Sequence, residues 1–193
     1  MKQEEVKQII EQWKEKNNVR LYTPYKYFEG LPTKKLVILK LQEMHKNKNE
    51  KDVTKIKFQT DKVRKSQKRS PYHEIFEERF GISSASSFEE KAKKTGIPLD
   101  IIESVFRKGV AAWKSGHRVG TTSVQWGKAR VDSFLTLGCA AFSGDASLLQ
   151  EAYDRIKNTK KGKIFFAQKP SCPASKIKNY KKRSNFPSFL SSV

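Results

Sequence analysis

The sequence predicts a mainly α fold: a compact small helical domain between extended basic N-terminal and C-terminal arms. Three observations predict it. Between residues 72 and 156, apolar residues recur at helical spacing and helix-start and helix-stop residues punctuate the runs. The chain has 193 residues, one domain's worth of material, and only 36 % are hydrophobic. Charge is also uneven: residues 1–71 hold 19 basic and 9 acidic side chains, residues 72–156 hold 11 of each, and residues 157–193 hold 10 basic and none acidic. The expected regions are therefore a basic N-terminal arm (1–71), a neutral helical domain (72–156) and a basic tail with an apolar tip (157–193).

The elements follow in chain order. Val6, Ile9, Ile10 and Trp13 share one face, which predicts a helix from Gln3 to Lys16 ended by Asn17-Asn18. Tyr22 to Phe28 is aromatic and contains Pro24, so it is no helix interior. It can stack on bases or anchor an extended segment onto a neighbour, with Tyr25, Tyr27 and Phe28 as anchors. Thr33 to Lys46 reads as a helix, although Leu36–Leu41 is apolar enough for a strand. Residues 47–70 form a polar, Lys-rich connector that includes Ser66 and Ser70, candidate phosphorylation sites among basic residues.

Five helices are expected in the middle. Pro71–Phe80 is stopped by Gly81. Ser86-x-x-Glu89 is a capping box for a helix that ends at Gly96. Pro98 opens the next, with Ile102, Phe106, Val110 and Trp113 on one face. Thr122-x-x-Gln125 is a second capping box, for a helix through Leu137 stopped by Gly138. Asp145 caps the last, which carries Leu148, Leu149, Ala152, Tyr153 and Ile156. In the tail, Lys163–Ala167 reads as a short strand. The tip Phe186-Pro187-Ser188-Phe189-Leu190 reads as a docking peptide, with Phe186 and Phe189 as anchors.

Several function classes drop out. The longest aliphatic run, Leu36–Leu39, is far too short to cross a bilayer, and the opening MKQEEVKQ has no signal-peptide-length apolar stretch. Cys139 and Cys172 make no CxxC pair and no disulfide framework, so a reducing intracellular setting is expected. His45, His73 and His117 are scattered without metal-ligand spacing, so neither metal nor cofactor is expected. No small-molecule substrate is evident.

What remains is the charge. The net charge is +20. Lysines on extensions neutralise phosphates without reading sequence, because each contact releases counterions. Lys160, Lys161, Lys181, Lys182 and Arg183 are the tail's candidate anion contacts. The densest motif is residues 109–134: helix, glycine-bracketed turn, helix, with Trp113, Trp126, His117, Arg118 and Arg130. One reading is an anion or partner site at His117, Arg118, Thr121, Thr122 and Arg130, where a helix N-terminus and two guanidinium groups meet. The other is structural, with the glycines permitting the turn and the tryptophans packing the helices. No second base or paired carboxylate accompanies His117, so no catalytic role is assigned.

Lys108 to Gly120, continuing through Gln125 to Phe134, resembles a domain of uncharacterised function found in large double-stranded DNA viruses of algae and protists and in some large phages. Tyr22-Thr23-Pro24, Ser70-Pro71-Tyr72 and Phe80-Gly81 resemble its N-terminal part, so the similarity spans about residues 22–150. The resemblance brings no activity. It implies a viral protein and a virion location. The expectation is thus a non-enzymatic minor capsid protein whose arms tether neighbouring capsid proteins and meet genome or an anionic inner-membrane surface. The alternative is a nonspecific DNA-binding, genome-packaging protein, and a distant third is a nucleic-acid enzyme using His117.

Overall fold

Val6, Ile9 and Ile10 face inward from α1 (Gln3–Asn17), as their spacing requires. The helix ends where Asn18 enters the left-handed region at φ 49°, a conformation asparagine tolerates better than most residues. The apolar run at Leu36–Leu41 is helical, not extended. It lies in α2 (Lys34–Asn47), whose N-cap Thr33 accepts a hydrogen bond from the Leu36 N–H at 3.3 Å. Tyr25–Tyr27 forms a single 3-10 turn. Tyr27 and Phe28 then drop into a core with Val37, Leu41, Met44, Phe58 and Trp113.

This computed structural model describes residues 1–63, 69–118, 120–182 and 186–190. Arg183 and Ser66 lie outside the described residues. Nine α-helices and no strand occur among the described residues. The chain divides into two compact units: residues 1–68 with 110–126, and residues 69–109 with 127–193. This differs from the expected division at 71 and 156 in two ways. Residues 110–126 leave the middle stretch because Trp113 completes the first unit's core. The tail belongs to the second unit because Phe165 and Cys172 are part of its core. The described parts of both expected arms are therefore folded, not extended.

All five expected middle helices are present: α3 (Pro71–Phe80), α4 (Phe88–Thr95), α5 (Leu99–Ser115), α6 (Ser123–Leu135) and α7 (Ala146–Ile156). Three details differ. The cap of α4 is Ser87 rather than Ser86, accepting from the Glu90 N–H at 3.2 Å. α6 ends before Leu137, which itself takes the left-handed turn at φ 51° ahead of Gly138. Asp145 precedes α7 but makes no side-chain cap bond, because its carboxylate is held by Arg130. In the second unit α5 and α6 approach closely at two glycines: a Cβ on Gly109 would lie 2.7 Å from the Gly127 Cα.

The tail corrects two expectations. Lys163–Ala167 is not a strand: α8 (Lys160–Phe166) is capped by Thr159, which accepts from the Gly162 N–H at 2.9 Å. After it comes α9 (Ala174–Tyr180), which contributes no buried residue. Cys139 and Cys172 are joined in a disulfide. Their spacing of 33 residues carries no signal in the sequence, but the fold brings them together. The Ser171 and Cys172 N–H groups donate to the Thr136 and Leu137 carbonyls, each at 3.1 Å.

Candidate functional site

Gly116 opens the turn after α5 at φ 147°, and a Cβ there would lie 2.6 Å from the Met44 methyl and 2.8 Å from the Tyr27 ring. Only glycine lets the chain pass this close. The turn carries His117 into the first unit's interior, fully buried. Its ring stacks on Trp113 at 4.3 Å and meets the Phe58 ring edge-on at 4.4 Å. Nδ1 donates to the Trp113 carbonyl at 3.0 Å. Nε2 lies 2.8 Å from Asp61 Oδ2 and 3.4 Å from Lys40 Nζ. Lys40 Nζ also donates to Asp61 Oδ1 at 3.1 Å and sits over the Phe58 ring.

Three titratable groups thus share one buried cluster. Burial pushes the Lys40 ammonium below its ordinary pKa, against the pull of Asp61. Burial also pushes His117 down; the Asp61 bond opposes this and the Lys40 charge adds to it. Asp61 moves down as well: burial acts to raise it, but His117 and Lys40 together outweigh that. His117 has no open face for a substrate, so it is a packed, hydrogen-bonded core residue.

The rest of the expected turn site is dispersed into structural duties. The Thr121 carbonyl accepts from the Trp113 indole N–H. Thr122 and Gln125 form the expected capping box: the Thr122 N–H donates to Gln125 Oε1 at 3.0 Å and the Gln125 N–H to Thr122 Oγ1 at 3.2 Å. Arg118 is half-buried in the first unit, and no ion pair involves it among the described residues. Arg130 lies in the second unit, where it grips Asp145 with two bonds of 2.8 Å, Nε to Oδ2 and Nη2 to Oδ1. A guanidinium already matched by a carboxylate is not an open phosphate clamp.

The aromatic anchors also turn inward. Tyr27 and Phe28 are core residues, and Tyr25 is half-buried against the same core. Phe186 stacks on Phe142 at 6.4 Å, and Phe189 stacks on Tyr153 at 3.9 Å, both within the second unit. The tip docks on its own unit.

A second buried charge cluster is not legible in the sequence. Asp132 in α6 is fully buried and bonds Lys91 Nζ at 2.5 Å and His73 Nδ1 at 2.6 Å. Lys91, also fully buried, sits over the Phe76 ring and donates to the Ser84 carbonyl at 2.8 Å. Each unit thus contains an aspartate that joins a buried lysine to a histidine, with the lysine on a phenylalanine face. The partners lie 41 and 59 residues from Asp132, too far for any spacing rule. The one sequence hint is a charged residue at an inward helical position. Among the described residues, no buried side-chain nitrogen or oxygen lacks a hydrogen-bond partner, and no cluster of metal-ligating residues occurs.

The second unit also presents a basic surface to solvent. Lys157, Lys160, Lys161, Lys163, Lys169, Lys176, Lys178, Lys181 and Lys182 are all exposed. Lys157 pairs with Asp154, and Lys161 Nζ donates to the Lys93 carbonyl, which sets the start of α8 beside the end of α4. Among the described residues no ion pair involves Lys160, Lys163, Lys169, Lys176, Lys178 or Lys182. The segment from 157 to 193 contains no acidic residue to neutralise them. No helix among the described residues is long and apolar enough to cross a membrane. No curated protein and no solved structure matches the chain. The model of one family, described as a family of unknown function (DUF5824), matches residues 24–150, from the first unit's aromatic turn to the first half of α7. Covering well over half of the sequence, that match makes the chain a member of the DUF5824 family.

Proposed function

We propose that the protein is a non-enzymatic component of a large DNA virus particle that holds nucleic acid against the particle's interior through the lysine face of its second unit. The observation that carries this reading is the acid-free segment from residue 157 onward, whose lysines all face solvent. Such a surface binds phosphates by counterion release and is indifferent to base sequence. Lysine outnumbers arginine 31 to 9 in the chain, which favours point-charge contact over bidentate base reading. The viral setting rests on the resemblance of Lys108–Phe134. A tether of extended arms is the weaker reading, because both aromatic anchor sets are occupied within the chain.

Any protein of charge +20 binds DNA at low salt, so binding alone tests nothing. The test compares two variants of equal charge. Replacing Lys160, Lys163, Lys176, Lys178 and Lys182 by Gln is expected to flatten the dependence of duplex affinity on salt, by about 0.9 log unit for each phosphate no longer neutralised. Replacing Lys16, Lys34, Lys35, Lys46 and Lys48 of the first unit is expected to leave most of the slope. Equal effects would refute a localised lysine face. In purified particles the protein is expected to leave with the genome when the shell is opened; its absence from particles would refute the viral setting.

A further inference from the structure

One aromatic of residues 22–28 does not turn inward. Leu21 is buried in the first unit's core, and its neighbours Arg20 and Tyr22 are exposed on either side of it. Tyr22 is 72 % exposed, yet its ring is braced: it meets the Tyr27 ring edge-on at 6.2 Å, and Tyr27 in turn meets Trp126 at 5.7 Å. The segment leaves α1 at the left-handed Asn18, and the Val19 N–H donates to the Lys14 carbonyl at 3.1 Å, which holds it against the helix end. Between helix and segment lies a groove of about 490 Å³ whose lining includes Glu11, Lys14, Glu15, Asn18, Arg20 and Tyr22. That is within the size of small-ligand sites. Glu11 and Lys14 pair at 3.1 Å, whereas among the described residues no ion pair involves Glu15 or Arg20. The groove thus presents one open carboxylate, one open guanidinium and one open aromatic ring.

We propose that this groove seats an unpaired base of a single-stranded nucleic acid: the base stacks on Tyr22, Arg20 takes the phosphate beside it, and Glu15 accepts from an amino group on the base edge. The inference rests on the nucleic-acid reading but not on the lysine face, which lies in the other unit. The first unit holds 20 basic against 9 acidic side chains, so its field draws a polyanion. Duplex bases are already stacked on one another and do not reach an isolated surface ring, whereas any unpaired base has a free face for it. Arg20 binds phosphate through parallel N–H groups. Glu15 repels phosphate, so it orients the strand, with the backbone toward Arg20 and the base edge toward α1. Cytosine presents an amino donor on that edge where thymine presents a carbonyl oxygen, so cytosine is the preferred pyrimidine.

The experiment measures, on the full chain at fixed salt, the affinity for labelled dC and dT strands of about eight nucleotides, for an abasic strand of the same length and for a duplex. Tyr22→Ala is expected to weaken dC binding about tenfold, within the range that one stacking ring is worth, while Tyr22→Phe keeps it. Tyr22→Ala is also expected to leave the abasic strand, the duplex and the melting temperature unaltered, since the ring is mostly exposed. Glu15→Gln is expected to erase the preference for dC over dT. Unchanged dC binding by Tyr22→Ala would overturn the seat and leave the groove to a protein partner. An equal loss on the abasic strand or the duplex would overturn it too, because no base would then be involved. Equal binding of dC and dT by the unmodified chain would overturn the role given to Glu15. The lysine face fails separately: if Tyr22→Ala weakens dC binding selectively but the lysine variants of the two units flatten the salt dependence equally, the stacking seat stands and the lysine face falls.

Discussion

Asp132 holds the most exacting position in the second unit. Its carboxylate is fully buried between Lys91 and His73, and removing it leaves an ammonium in the core with only the Ser84 carbonyl and a ring face as compensation. Breaking one partner of a buried pair is costly, so Asp132→Ala is expected to lose about 3–5 kcal/mol in urea unfolding. Pairing that change with Lys91→Met should recover much of the loss, because neither charge then stays buried alone. His117 is expected to set a pH dependence in the first unit. Its folded pKa lies below the ordinary value, so the unfolded chain takes up the proton first as pH falls. The stabilisation is complete above the ordinary histidine value, about 6.5, and is lost as pH drops from there toward the lower folded value. Urea midpoints measured across this window should fall with acidification, and His117→Gln should flatten that trend. Duplex binding by the same variant should be unchanged if His117 is purely a core residue.

At the scale of elements, local chemistry explains both the successes and the misses of sequence reasoning. Thr33, Pro71, Gly81, Gly96 and the Thr122–Gln125 box mark helix ends because they act within one turn, and the structure uses each of them. Lys163–Ala167 reads as a strand because Ile164-Phe165-Phe166 suits one by composition, whereas the deciding residue, Thr159, stands before the apolar run. Tyr27 and Phe28 read as anchors because nothing local reveals that a distant turn at Gly116 packs against Tyr27. The charge clusters and the disulfide are invisible for the same reason: their members are brought together by packing over 21 to 77 residues. The α5–α6 approach gives a sharp test. Gly109→Ala forces a methyl against the Gly127 backbone and is expected to cost about 1–3 kcal/mol or more by overpacking. Gly81→Ala meets open space and strains only the left-handed cap, so it should cost about 1–2 kcal/mol. Thermal melts of the two variants separate crowding from backbone strain.

For the whole molecule, charge is the dominant property. A net +20 on 193 residues repels itself in the folded state. Added salt should therefore raise the melting temperature, and phosphate or sulfate should raise it further than chloride at equal ionic strength. The charge-reduced second-unit variant should respond less, and a salt-independent melting temperature for the unmodified chain would contradict this picture. The disulfide contributes on the same scale: closing a loop of 33 residues is worth about 3–4 kcal/mol on the chain-entropy account.

The first unit draws its final pieces from far along the chain. Residues 1–68 carry α1, α2, Lys40 and Asp61, while Trp113 and His117 arrive from residues 110–126. During synthesis the segment of residues 1–68 thus leaves the ribosome with a gap where two rings belong and an ammonium–carboxylate pair lacking its histidine. It waits, incomplete, until the polypeptide has grown past Trp126. A fragment stopped at residue 68 should remain unfolded, and early translation should expose Val37, Leu41 and Met44 to chaperones. The first unit therefore cannot be finished until residues 69–109 of the second have already been made.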